Sequence, residues 1–220
     1  RENLQVRGLA RVPLMLALLC RVYEARGYDL PKRRVELYEQ CLRGLLIDWR
    51  EEKRGAVGGN YGAGIESRTE AVIEVLQGAA FDLFESQHEQ FTETALRAVL
   101  GKQIKALEEH HELKRANPTE IILELCEAGV LIRIGVARPA QYTMLHGTFH
   151  EYLTACHLAR QRWETIVPMI DRKAWAPKWN EVVIMIAGRL IDPVPLLALL
   201  CNAKKDDFFR HRLCLAARCL

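Results

Sequence analysis

The sequence predicts a mainly α-helical protein with one β-hairpin, running on after that hairpin into repeat-like helical pairs. Two observations carry this. Apolar residues recur at three- and four-residue spacing over most of the chain, as in Val35, Tyr38, Leu42, Leu45, Leu46 and Trp49, which line one buried stripe of a helix. The period shortens to two only over Val130–Ile134 and Gln141–Leu145, joined by a turn region with Gly135 and Pro139.

The first helix is expected from Val12 to Arg26, with Pro13 tolerated in its first turn and Gly27 closing it. The second spans Arg33 to about Glu52. A stretch holding five glycines between 55 and 64 follows and reads as a linker. Ser67-Arg68-Thr69-Glu70 has capping-box spacing and predicts a third helix to about Glu85. A fourth runs from Thr92 to about Glu109, and Asn117-Pro118 opens a fifth that stops at Gly129. The hairpin and a helix from Thr148 to Arg162 complete the series. Three helices, a hairpin and a helix approximate the winged-helix order. Beyond Trp163, apolar helices are expected over Trp179–Leu190 and Pro193–Cys201, with a third capped by Asp206-Asp207. Their pairing and the Leu215–Leu220 run look like the start of HEAT repeats. The organisation expected is thus a helical domain over 1–54, a flexible linker over 55–66, a winged-helix domain over 67–162 and an incomplete HEAT-like region over 163–220.

Composition narrows the function. Half of the residues are apolar and 27% are charged, as in ordinary packed proteins. A net charge of +3, from 31 basic and 28 acidic residues, supplies no electrostatic reason to expect nucleic acid or an anionic membrane as a partner. The longest apolar run, Val12–Cys20, falls far short of the roughly 20 residues of a membrane span. No signal peptide opens the sequence, and seven cysteines without a CxxC pair read as buried thiols of a reducing cytoplasm. With Arg1 at its start and a helical pattern at its end, the chain reads as a segment of something longer.

Several chemistries lack their residues. No Gly-x-x-x-x-Gly-Lys-Ser/Thr occurs, so the sequence offers no phosphate cradle of its own and no enzyme is expected of this chain. The two serines, Ser67 and Ser86, sit in no nucleophile elbow. His146, His150 and His157 have spacings that can hold a metal, but no convincing acidic or thiol ligand completes the set. The helix that would read DNA in a winged helix, Thr119–Ala128, carries three Glu and neither Lys nor Arg, the wrong sign for phosphate.

Two motifs remain. Val12-Pro13-Leu14-Met15-Leu16 precedes Leu30-Pro31-x-x-Arg34-x-x-Leu37-Tyr38, and Leu145-His146-Gly147-Thr148-Phe149-His150-Glu151-Tyr152-Leu153 lies about a hundred residues on. Together they resemble the part of NACHT-type STAND NTPases, the regulated ATP switches of innate immunity and antiviral defence, that follows the P-loop domain. In that family the first motif usually reads Asn-Pro-Leu-Leu-Leu, and Val12 departs from it; the second usually reads Leu-His-x-Thr-Phe-Gln-Glu-Tyr-Leu, and His150 departs from it. The resemblance implies that Pro13 lies against adenine and that His146 touches the terminal phosphate of ADP in a closed resting state. It also implies ADP or ATP in the parent protein with none held tightly by this chain, and a cytoplasmic location. The implied partners are N-terminal NTPase and effector domains, further copies on activation, and a trigger ligand at the C-terminal repeats. Two other readings stand beside it: His146 merely caps its helix, and the chain is a nucleotide-independent helical scaffold.

Overall fold

A computed structural model describes residues 10, 12–25, 27, 31, 33–55, 62–86, 89–107, 113, 116–136 and 138–220. The helices are α1 (Pro13–Ala25), α2 (Arg34–Gly55), α3 (Gly62–Glu85), α4 (Glu93–Ala106), α5 (Pro118–Glu127), α6 (Gly147–Ala159), α7 (Trp163–Lys173), α8 (Asn180–Arg189), α9 (Val194–Leu200) and α10 (His211–Arg218). The strands are β1 (Phe91–Thr92), β2 (Leu131–Ile134) and β3 (Gln141–Met144). The mainly α fold class with its hairpin is what the structure shows. Among the described residues no helix is long and apolar enough to cross a membrane.

Local chemistry sets most boundaries where the sequence placed them. The Thr92 hydroxyl accepts from the Ala95 amide at 3.2 Å and opens α4, and the Asn117 side-chain Oδ1 accepts from the Thr119 amide at 2.9 Å and opens α5. Gly129, at φ +74°, ends α5 in a backbone conformation that side chains resist, and the Val130 amide then turns back to the Leu125 carbonyl at 2.8 Å.

Four expectations change. The sheet has three strands in the order β1-β3-β2, all antiparallel, with Phe91 opposite Tyr142 and Leu131 opposite Met144. A two-residue β1 is too short to leave a period in the sequence. It completes the order helix–strand–helix–helix–strand–strand, from α3 through β3. Second, α3 begins at Gly62 and not at Ser67, inside the linker expected over 55–66; residues 56–61 of that linker lie outside the described residues. The capping-box partner Glu70 is engaged by Arg43 at 2.7 Å, and Thr69 is fully buried against Arg50, so this stretch is helix interior. Third, the helical region expected beyond Trp163 holds one helix more than the three delimited in the sequence, α7 over 163–173, with Pro168 inside it. Fourth, Cys20, Cys201 and Cys214 are exposed, and only Cys41 and Cys156 are buried; all seven thiols are free.

The core runs continuously from α1 to α10. Helix α6 is its centre: α3, α8 and α2 all pack on it. Phe149, Tyr152, Leu153, Ala155, Cys156 and Leu158 are buried there. At the C-terminal end the Asp206 carboxylate accepts from the Arg212 and Leu213 amides at 3.0 and 3.2 Å, so it caps α10 from upstream, across the left-handed Arg210.

Candidate functional site

The junction of β3 and α6 is built by main-chain bonds first. Leu145 donates to the Val130 carbonyl at 2.9 Å, which pins the end of β3 to the start of β2. The next residue, His146, is extended (φ −153°, ψ 146°) and is the N-cap of α6. Its Nδ1 accepts from the Thr148 amide at 3.3 Å and lies 2.9 Å from the Thr148 hydroxyl. An amide can only donate, so Nδ1 carries no proton and the hydroxyl donates to it as well. The neutral ring therefore carries its proton on Nε2, which has no hydrogen-bond partner among the described residues. The half-buried imidazole thus caps with one nitrogen and presents an N–H donor with the other, beside the positive end of a helix. Both readings of His146 meet in this geometry, because capping fixes the tautomer that donation needs.

The next residues point inward. His150 Nε2 donates to the Ala80 carbonyl at 2.9 Å, and its ring stands edge-on to Phe84 and Phe91 at 5.0 and 5.4 Å. Burial pushes its pKa down to about 4, against the Ala80 bond, which works the other way. His157 stacks on Phe81 at 5.0 Å. The three histidines are thus engaged separately, and among the described residues no three His, Cys, Asp or Glu side chains gather as a metal set. Burial, and the nearby Glu181 carboxylate, push the Glu151 carboxyl up to about 7, and its Oε2 is buried without a hydrogen bond.

The two motifs meet through aromatic rings. Tyr38 of α2 packs edge-on to Phe149 at 5.5 Å and stacks on Tyr152 at 5.6 Å. Arg34, one turn earlier, donates to the Tyr38 hydroxyl at 3.4 Å and to Glu181 of α8 at 2.7 Å. Pro13 lies elsewhere: it is exposed at the start of α1, which packs on α2 through Met15, Leu18, Leu19 and Val22. No hydrogen bond or ring contact joins Pro13 to His146 among the described residues.

One cluster escaped the sequence reading. Arg50 of α2 donates to Glu124 of α5 and to Thr69 of α3, with Arg68 3.7 Å from the same carboxylate. Arg50 and Glu124 are 5% and 8% exposed. The available signal was Glu124 itself, an acid three residues after Ile121 on the apolar face of α5. Its burial leaves Glu120, Leu123 and Glu127 on the exposed face of that helix.

Residues 34–158, more than half of the chain, match the family described as the winged helix-turn-helix domain C-terminal to NACHT. No curated protein and no solved structure matches. That span runs from Arg34 at the start of α2 to Leu158 near the end of α6, and it holds the three-stranded sheet, the Tyr38–Phe149–Tyr152 contact and the His146 cap. The chain belongs to the family of winged helix-turn-helix domains that lie C-terminal to NACHT.

Proposed function

We propose that this chain is the regulatory part of a NACHT-type STAND ATPase that closes over ADP at rest and passes activation on to oligomerisation, in defence or signalling. The observation that carries this reading is the His146 tautomer. With Nδ1 occupied by Thr148, Nε2–H is left as a donor at a helix N-terminus, a place that favours anions. His146 would hold the terminal phosphate of ADP and Pro13 would lie against the adenine. The P-loop domain would supply the remaining contacts and all the phosphoryl chemistry.

A contact made only in the closed state adds to its population. A hydrogen bond to a charged group contributes about 1.5–3 kcal/mol, so its loss moves the closed-to-open ratio roughly ten- to a hundredfold. The test is His146→Ser in the parent protein. Serine keeps a side-chain oxygen for the Thr148 amide, so α6 stays capped while the Nε2 donor disappears. The expected result is faster ADP release and oligomers without a trigger, at unchanged thermal stability. Pro13→Ala is expected to weaken nucleotide affinity without raising the oligomer fraction. Unchanged ADP release and oligomer fraction in His146→Ser would reduce His146 to a cap and sink the switch reading.

A further inference from the structure

A cavity of about 440 Å³, lined by neither His146 nor Pro13, opens between the start of α2, the last turns of α8 and the end of α10. Its walls include Ile184, Met185 and Pro193, and Arg33, Arg34 and Arg218 line it as well. Gly188 sets its depth: a Cβ there would lie 3.1 Å from a Val35 methyl, so glycine allows α8 to sit close on α2.

The charges around the cavity do not balance. Arg34 and Arg218 both bond the single carboxylate of Glu181. Arg33 is exposed and has no carboxylate partner among the described residues. Glu151 interacts electrostatically with Arg34, and its carboxyl, pushed up to about 7, supplies only part of a negative charge near neutrality. The Nε–H of Arg34 is buried and donates to nothing. Guanidinium forks match carboxylate and phosphate oxygens, and an unsatisfied buried donor costs free energy until an acceptor arrives. Apolar walls with a few polar groups, at this volume, are the build of a small-molecule pocket.

We propose that this cavity binds a small amphipathic oxyanion, a carboxylate or phosphate head on an apolar body, with Arg33 and Arg34 on the head and Ile184 and Met185 on the body. Such a ligand joins α2 to the helices that follow the winged-helix unit, and it stabilises their packing by binding only the folded arrangement. The proposal is independent of the nucleotide reading, because it involves neither His146 nor Pro13.

Calorimetric titration of the chain with octanoate and with octyl phosphate tests it, with octanol and inorganic phosphate as single-feature controls. At least one amphiphile is expected to bind at least tenfold more tightly than either control, and the better of the two identifies the head. Arg33→Ala is expected to weaken that binding ten- to a hundredfold, the loss of a charge-assisted contact, and Arg33→Lys to restore part of it. Ile184→Trp fills the cavity while leaving every guanidinium in place, and is expected to abolish binding. Arg33 is exposed, so its variants retain the fold, which circular dichroism checks. Binding no tighter than octanol would mean an apolar surface only. Binding no tighter than phosphate would mean an adventitious ion only. Either result, or equal affinity in Arg33→Ala, overturns the proposal.

Discussion

His150 and Glu151 are chain neighbours on which burial acts with opposite sign. His150 has a folded pKa of about 4 against an ordinary 6.5, so burial favours its neutral form. The stability tied to that form is fully present above pH 6.5 and is lost as pH falls toward 4. At 1.36 kcal/mol per unit the loss is on the order of 3 kcal/mol. Glu151 has a folded pKa of about 7 against 4.5, so its protonated form is favoured. That contribution is fully present below pH 4.5 and is lost as pH rises toward 7. Between these limits the two slopes oppose each other, and the wild type should change little on their account. Glu151→Gln removes one slope. The variant is expected to be more stable than wild type above pH 7 and to lose stability more steeply on acidification to pH 4. Urea denaturation across that range is the measurement, and parallel pH profiles for the two proteins would refute the assignment.

At the scale of elements, the Arg50–Glu124 pair fastens α2 to α5, and Thr69 adds α3 to the same knot. Breaking a buried pair leaves one charge without compensation, a loss of about 3–5 kcal/mol, whereas replacing both partners with apolar groups is often neutral. Arg50→Met is therefore expected to destabilise the fold by that amount, and Arg50→Met with Glu124→Leu to recover most of it. A double-mutant cycle in urea measures the coupling. An additive cycle would mean that the pair contributes nothing. The same pair bears on the nearby helix α5: with Glu124 turned inward, the exposed face of that helix is left with Glu120 and Glu127.

For the whole molecule, a winged-helix unit raises the question of nucleic acid. The exposed face of α5 has the wrong sign, and the hairpin offers only Arg133 on β2 and Arg138 in the turn, both exposed. Duplex DNA is expected not to bind at physiological salt; a salt-sensitive complex lost in Arg133→Ala would reverse this. Catalysis is the second question. A winged-helix domain of NACHT proteins is not the P-loop module, and the sequence holds no Walker A motif. The isolated chain is expected to turn over no ATP and to bind ATP or ADP weakly at best, since the P-loop normally makes most phosphate contacts. Calorimetry and phosphate release check both, and micromolar affinity or measurable turnover would contradict the division of labour proposed for the parent protein.

Much of this was legible in the residues alone. The helical period, the Asn117-Pro118 start, the Gly27 and Gly129 stops and the switch to period two over the hairpin are local properties, set by backbone conformation and one-sided burial. The motif around His146 was legible through its likeness to the NACHT family, and the capping read as its alternative is a short-range property. Tertiary structure decided what depends on partners distant in sequence. Strand β1 exists because β3 offers it an edge, and Glu70 leaves its cap role because Arg43 takes it. Glu124 changes from a surface acid of a reading helix to a buried ion because Arg50 arrives from α2. The cavity at Arg33 forms only where α2, α8 and α10 converge from opposite ends of the chain, and no window of sequence contains all three.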